Sequence, residues 1–109
     1  MPSTQLTDHY ASRVRILKAL AHPTRLFLVE KLADGERCVC ELTEEIGDDI
    51  STVSKHLALL RDSGVLTSER RGQQIFYRLR VPCVLEIFGC VEGVLAGRET
   101  GARSCRVGN

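Results

Sequence analysis

Residues 40–79 read CELTEEIGDDISTVSKHLALLRDSGVLTSERRGQQIFYRL, and the parsing of this stretch decides the fold. Cys40–Ile46 is one short helix, with Leu42 and Ile46 on a common side. Gly47-Asp48-Asp49 makes a turn, and Asp49 is of the type that caps a following helix. That second helix spans 50–63, with Val53, Leu57 and Leu60 spaced to face a core, and Ser63-Gly64 ends it. Residues 65–71 and 74–79 are strand-like runs on either side of Gly72-Gln73, which reads as a hairpin. Two short helices, a tight turn and a basic hairpin make a winged helix-turn-helix.

The flanks agree with a mainly α chain carrying one small β-hairpin. Leu6, Tyr10, Val14, Leu17 and Ala21 recur at spacings of a helix face over residues 5–21. His22-Pro23 resets the chain, because proline suits the first position of a helix and disfavours a helical residue before it. A second helix over 23–33 turns Leu26, Val29 and Leu32 inward and stops at Asp34-Gly35. After the hairpin, Pro82 opens a last helix over 82–97, with Leu85, Phe88, Val91 and Leu95 in period. Residues 1–97 are therefore expected to form one DNA-binding and dimerisation domain, and 98–109 a mobile tail containing Cys105. A chain of 109 residues buries a limited share of its surface, so an oligomer is expected.

Composition is that of a folded protein, with 43% hydrophobic and 27% charged residues. Apolar runs fall well short of the roughly 18 residues that span a bilayer, and the first ten residues do not resemble a secretory signal. The expected compartment is the cytosol, without membrane partners. Five cysteines, an odd number, are better read there as thiols than as a disulfide framework. Net charge is only +1, but it is unevenly spread. Residues 30–50 hold eight acids against two bases, a net −6, and residues 51–80 hold six bases against two acids, a net +4. The basic half is where a polyanion would lie.

The second helix of the pair is slim enough for a major groove, with its first turn facing base edges. Ser51, Thr52, Ser54, Lys55 and His56 supply hydroxyls, an ammonium and an imidazole there, and Arg70 and Arg71 at the hairpin tip can reach the backbone. The runs ALAHPTRLFLVEKL, CVCELTEEIG, STVSKHLALLRDSGVL and RRGQQIFYRL, in order over roughly residues 13–95, resemble the ArsR/SmtB family of metal-responsive repressors. The resemblance implies a homodimer whose first and last helices form the interface. It also implies binding to double-stranded, pseudo-palindromic operator DNA and release by an inducer. Ile50 departs from the polar residue common at its position, and Asp48 and Asp49 lie close to where phosphates would pass.

Cys38-Val39-Cys40 is the sharpest chemical feature. Soft thiolates select As(III), Sb(III), Cd(II), Pb(II), Zn(II) or Cu(I). Residues i and i+2 point the same way on extended backbone and can share an ion, whereas in a helix they diverge by about 200°. Ligand binding would thus oppose helix at the start of the segment that supports the recognition helix. The resemblance implies As(III) or Sb(III), because arsenite-responsive members carry a CVC-type motif here. A third cysteine often follows three positions later, where this chain has Thr43. Cys105 is the first choice for a third ligand, since Arg103 and Arg106 favour its thiolate; Cys83 and Cys90 are the others. Those two are seven residues apart on one face of the last helix, and suit packing or a second thiol site. The last helix has no histidine, which argues against a zinc site of the Asp/His kind. A Cd(II)- or Pb(II)-responsive repressor and a thiol-redox or persulfide sensor on the same scaffold are the alternatives. An enzyme is not expected: one residue separates the CVC thiols, no βαβ pattern surrounds them, and there is no phosphate loop or nucleophile–His–acid arrangement.

Overall fold

A computed structural model of the chain describes residues 3–98. In chain order the elements are α1 (Ser3–Leu20), α2 (Pro23–Leu32), β1 (Arg37–Cys38), α3 (Val39–Ile46), α4 (Ile50–Asp62), β2 (Leu66–Arg71), β3 (Gln74–Leu79) and α5 (Val84–Leu95). The expected tail lies outside the described residues, apart from Arg98. No helix among the described residues is long and apolar enough to cross a membrane.

Local chemistry sets the helix ends. His22 is extended (φ −159°, ψ 134°) and its Nδ1 accepts the Thr24 N–H at 3.1 Å, so it caps α2 just ahead of Pro23. Asp49 caps α4, its Oδ1 accepting the Thr52 N–H at 2.7 Å and the Ser51 hydroxyl at 3.1 Å. Between α3 and α4 the chain turns on Gly47, at φ 80°, a left-handed conformation that glycine takes without penalty. Its N–H reaches the Thr43 carbonyl at 2.9 Å.

The core gathers Leu28, Val29 and Leu32 of α2, Leu42 of α3, Val53, Leu57 and Leu60 of α4, and Val65, Leu66, Tyr77 and Leu79 around the hairpin. The inward face assigned to α4 is the one observed. On α2 the assignment needs one correction, since Leu28 is buried and Leu26 is exposed. Leu28 and Val29 lie over α4 and the sheet, and Leu26 lines a groove toward α5 instead.

The wing has three strands rather than two, in the order β1–β3–β2, all antiparallel. The third strand is only Arg37 and Cys38, paired with Tyr77 and Phe76. Two residues are too few to show a period, so no sequence pattern announced it. The last helix is shorter than expected, because Pro82 and Cys83 form a turn leading into Val84.

Among the described side chains of α1 only Ala19 and Leu20 are buried; Leu6, Tyr10, Val14 and Leu17 form an exposed row. α5 likewise presents Ile87, Val91, Val94 and Leu95 to solvent. The periods read along both helices are present, but these side chains lie outside the core and share only a shallow groove where Leu17 approaches Ile87 and Val91.

Candidate nucleic-acid interface and thiol site

The first two turns of α4 divide their side chains three ways. Val53 and Leu57 enter the core. Ser51 and Lys55, four apart and therefore on one face, are exposed, and Thr52 and Ser54 are half-buried beside them. Ile50 is exposed at the same end. The Ser51 hydroxyl is already engaged by Asp49, which takes only the backbone N–H of Thr52, and Lys55 stands exposed on the same face as Ser51, able to meet a phosphate or a base edge. Asp49 is held below the usual carboxylate range, chiefly by the Thr52 N–H, and so keeps its charge at the helix N-terminus.

His56 belongs to the frame of this helix as much as to its surface. Its ring centroid lies 4.5 Å from that of His22. Arg25 Nη1 lies 3.2 Å from His56 Nδ1. A guanidinium only donates, so Nδ1 accepts and the neutral ring carries its proton on Nε2. Arg25 also donates from Nε to the Ala19 carbonyl at 2.6 Å and from Nη2 to the Lys18 carbonyl at 3.3 Å. One arginine thereby ties the end of α1, the start of α2 and the middle of α4. Nothing local marks Arg25 for this, because its partners lie six, seven and 31 residues away.

Burial lowers the pKa of His56, and the His22 and Arg25 charges add to the effect, against a small opposing pull from Asp48. The folded chain binds a proton at His56 less readily than the unfolded chain, whose histidine titrates near about 6.5. The stability this contributes is present above that pH and is lost as pH falls through the lowered folded value. Thermal melts are expected to show a falling midpoint between about pH 7 and pH 5, and His56→Gln is expected to flatten that slope. An equal slope in parent and variant would place the acid sensitivity elsewhere.

At the hairpin tip the two arginines differ. Arg70 is exposed. Arg71 donates from Nη1 and Nη2 to the two carboxylate oxygens of Glu36, both at 2.7 Å, and from Nη2 to Glu69 at 2.9 Å. Its guanidinium also lies over the Phe76 ring, 4.6 Å from the centroid. Of the two wing bases expected to reach DNA, one is thus already neutralised.

The CVC pair straddles an element boundary. Cys38 ends β1 on extended backbone (φ −85°, ψ 161°) and is buried; Cys40 sits in the first turn of α3 and is exposed. Both are free thiols, and because Val39 and Cys40 are already helical the extended backbone that the chelate considered from sequence requires ends at Cys38. Two contacts hold that turn. Glu41 accepts the Cys38 N–H at 3.0 Å, and this bond keeps the Glu41 carboxyl below its ordinary range. Thr43, at the position where a third cysteine would stand, donates its hydroxyl to the Val39 carbonyl at 2.8 Å.

Cys105 lies outside the described residues. Cys83 is a free, exposed thiol at the residue before α5, while Cys90 is disulfide-bonded, so the two are not the matched pair on one helix face that their spacing suggested. Among the described residues no group of three or more His, Cys, Asp and Glu is gathered to hold a metal ion.

Comparison with known proteins follows the same lines. Residues 22–68 match the family described as bacterial regulatory protein, arsR family. A biofilm growth-associated repressor of Xylella fastidiosa (strain Temecula1) is 48% identical over 87 residues, covering 80% of this chain and 76% of that protein. The arsenical resistance operon repressor of Escherichia coli (strain K12) is 42% identical over 67 residues, 61% of this chain and 57% of that protein. A homodimeric winged helix-turn-helix DNA-binding domain from Mycobacterium bovis, a possible ArsR-family transcriptional regulator, is similar in structure. It has a TM-score of 0.71 at 30% identity and covers 83% of each chain.

Proposed function

The chain belongs to the arsR family of bacterial regulatory proteins and is a transcriptional repressor of that kind, and from this premise we propose that it binds operator DNA as a homodimer and is released by As(III) or Sb(III) held at Cys38 and Cys40. Its relatives are repressors and not enzymes. It works in the cytoplasm, where the DNA it reads is found.

Support for the homodimer comes from the two unpartnered apolar rows on α1 and α5. They meet at an apolar groove lined by Leu17, Leu20, Ile87, Phe88 and Val91. An apolar surface of this extent marks a protein interface, and the Mycobacterium bovis neighbour is homodimeric. Pairing two copies would set two α4 helices at successive major grooves, with Ser51, Thr52, Ser54 and Lys55 toward the bases, His56 bracing the helix, and Arg70 on the backbone.

The inducer reading rests on one observation above all: two free thiols bracket the first turn of α3, one buried and one exposed. A single soft ion bonded to both would draw Cys40 toward Cys38, which a helical turn does not allow. Residues 39–40 would become extended, and the Thr43–Val39 contact would be lost. α3 packs on α4, with Leu42 in the shared core, so an altered α3 shifts the recognition helix without touching DNA. The element is two-state, and a ligand with higher affinity for the opened turn biases it. As(III) suits a sulfur-only donor set. In the fully reduced protein Cys105 is the proposed third thiolate, or else a small thiol from solution. Cd(II), Pb(II) and Zn(II) would take the same pair, with Glu41 as an added oxygen donor.

A second reading, response to thiol oxidation or persulfide, is favoured by Cys90, which is already in a disulfide. Fluorescence anisotropy of the reduced dimer on its own upstream DNA separates the two. Release at near-stoichiometric arsenite supports the first. Release by oxidant alone, with arsenite inert, replaces it with the second.

A further inference from the structure

Arg71 is the most heavily engaged charge on the wing. Both ends of its fork are on Glu36 at 2.7 Å, Glu69 adds a contact at 2.9 Å, and Phe76 lies beneath the guanidinium. A bidentate pair of this length is the strong form of the charge-assisted bond, and a second carboxylate makes it a network rather than an isolated surface pair. The geometry also decides what Arg71 cannot do at the same time. With the Nη1/Nη2 end of the fork on Glu36 and the other Nη2 hydrogen on Glu69, the guanidinium has no paired donors left for a phosphate, and the two acids beside it repel one. Arg70, its neighbour, has the opposite surroundings, being exposed with no carboxylate against it among the described contacts.

The source of the main carboxylate is equally specific. Glu36 is not part of the hairpin. It immediately precedes β1, whose Arg37 and Cys38 pair with Tyr77 and Phe76 of β3. The ring beneath Arg71 is therefore the register partner of Cys38. Glu69, the second acid, is on the wing itself, opposite Phe76.

We propose that Glu36 is a positioning residue for DNA recognition, a carboxylate that competes with the DNA phosphate for Arg71 and so withholds one wing arginine from the duplex. This rests on the DNA-binding reading above. Arg70 supplies the wing's phosphate contact in the resting repressor. Arg71 contributes only when the clamp opens. The two arginines are adjacent in sequence and alike in charge, yet their removal is expected to have unequal effects.

Salt dependence reads this directly, since each phosphate neutralised by a base adds about 0.9 to the slope of log affinity against log salt. Parent, Glu36→Gln, Arg71→Ala and Glu36→Gln/Arg71→Ala would be compared on one duplex without inducer, with circular dichroism confirming that each is folded. Arg71→Ala in the parent background is expected to change slope and affinity little. With one Arg71 freed in each protomer of the dimer, Glu36→Gln is expected to steepen the slope by up to about 1.8 and to tighten binding about three- to tenfold at low salt. Adding Glu69→Gln should complete the effect, because Glu69 alone still holds Nη2. The decisive case is the double variant: Glu36→Gln/Arg71→Ala should return to the parent slope.

A gain that survives in the double variant would be a general effect of removing a negative charge, and would overturn the clamp. So would an unchanged slope in Glu36→Gln, or an Arg71→Ala loss as large in the parent as in the Glu36→Gln background. A parent chain whose binding shows no salt dependence would overturn the DNA-binding reading itself, and this inference with it.

Discussion

Cys40→Ser is expected to bind operator DNA as tightly as the parent chain and to stop responding to arsenite. Cys40 is exposed in the first turn of α3. Serine is nearly its equal in size and in helix propensity, so the fold and the placement of α4 should survive. What is lost is one of two sulfur donors, and hydroxyl oxygen is a poor substitute for thiolate toward a soft ion. The parent is expected to lose about 5- to 150-fold in operator affinity at stoichiometric arsenite, the usual range of coupling between two sites. The variant is expected to change by less than about twofold on the same scale. Anisotropy titrations of both proteins, reduced and at fixed salt, make the comparison. Full response in Cys40→Ser would remove the CVC pair as the inducer site. Cys38→Ser is the weaker probe, because Cys38 is buried against the sheet and its loss mixes folding with binding.

Val91→Asp is expected to convert the dimer to a monomer and to reduce operator affinity by two orders of magnitude or more. Val91 is 51% exposed in the single chain. In a protein that works as a monomer, a surface substitution of this kind changes stability by only about 0.5 kcal/mol. At a closed apolar interface the same carboxylate is buried without a partner, twice over by symmetry, and costs several kcal/mol. A monomer reads one half-site and loses the gain of about 10²–10⁴ that a second tethered contact brings. Sedimentation velocity and operator titration check the two halves of this expectation. A variant that remains dimeric would place the interface elsewhere and leave the α1 and α5 faces unexplained.

The parts of this fold that could be read from sequence are those decided within a few residues. Asp49 as a cap, Gly47 as a left-handed turn, and Val53, Leu57 and Leu60 as a core face each follow from local backbone chemistry, and all three are present. Reading failed where the deciding partner is distant. Glu36 gives no local sign that Arg71, 35 residues on, will take both its oxygens. Arg25 and His56 meet across 31 residues. Leu26 and Leu28 are both apolar and nearly in period, and only the groove against α5 and the core against α4 distinguish them.

The candidate site shows the same division. The thiol pair and the basic turn of α4 stand out as motifs, and the structure brings each to a defined place. That Cys38 is buried and Cys40 exposed follows from β1 ending between them, a boundary set by pairing with β3. The two apolar rows on α1 and α5 are a further case. Their periods are correct, but apart from the groove where Leu17 approaches Ile87 and Val91 they lie outside the core. The spacing alone could not distinguish an internal core from a surface that waits for a second copy.

If a thiol-bound ion opens α3, amide hydrogen exchange over residues 39–43 reads the change most directly. The reduced protein would be compared with and without one equivalent of arsenite, free of DNA. The expected result is faster exchange at the amides of the first α3 turn as the Thr43–Val39 and Glu41–Cys38 contacts are lost, with the α4 core at Leu57 and Leu60 still protected. The contradicting result is operator release at stoichiometric arsenite with protection of that turn unchanged, which would mean that the recognition helix is displaced by some route other than α3.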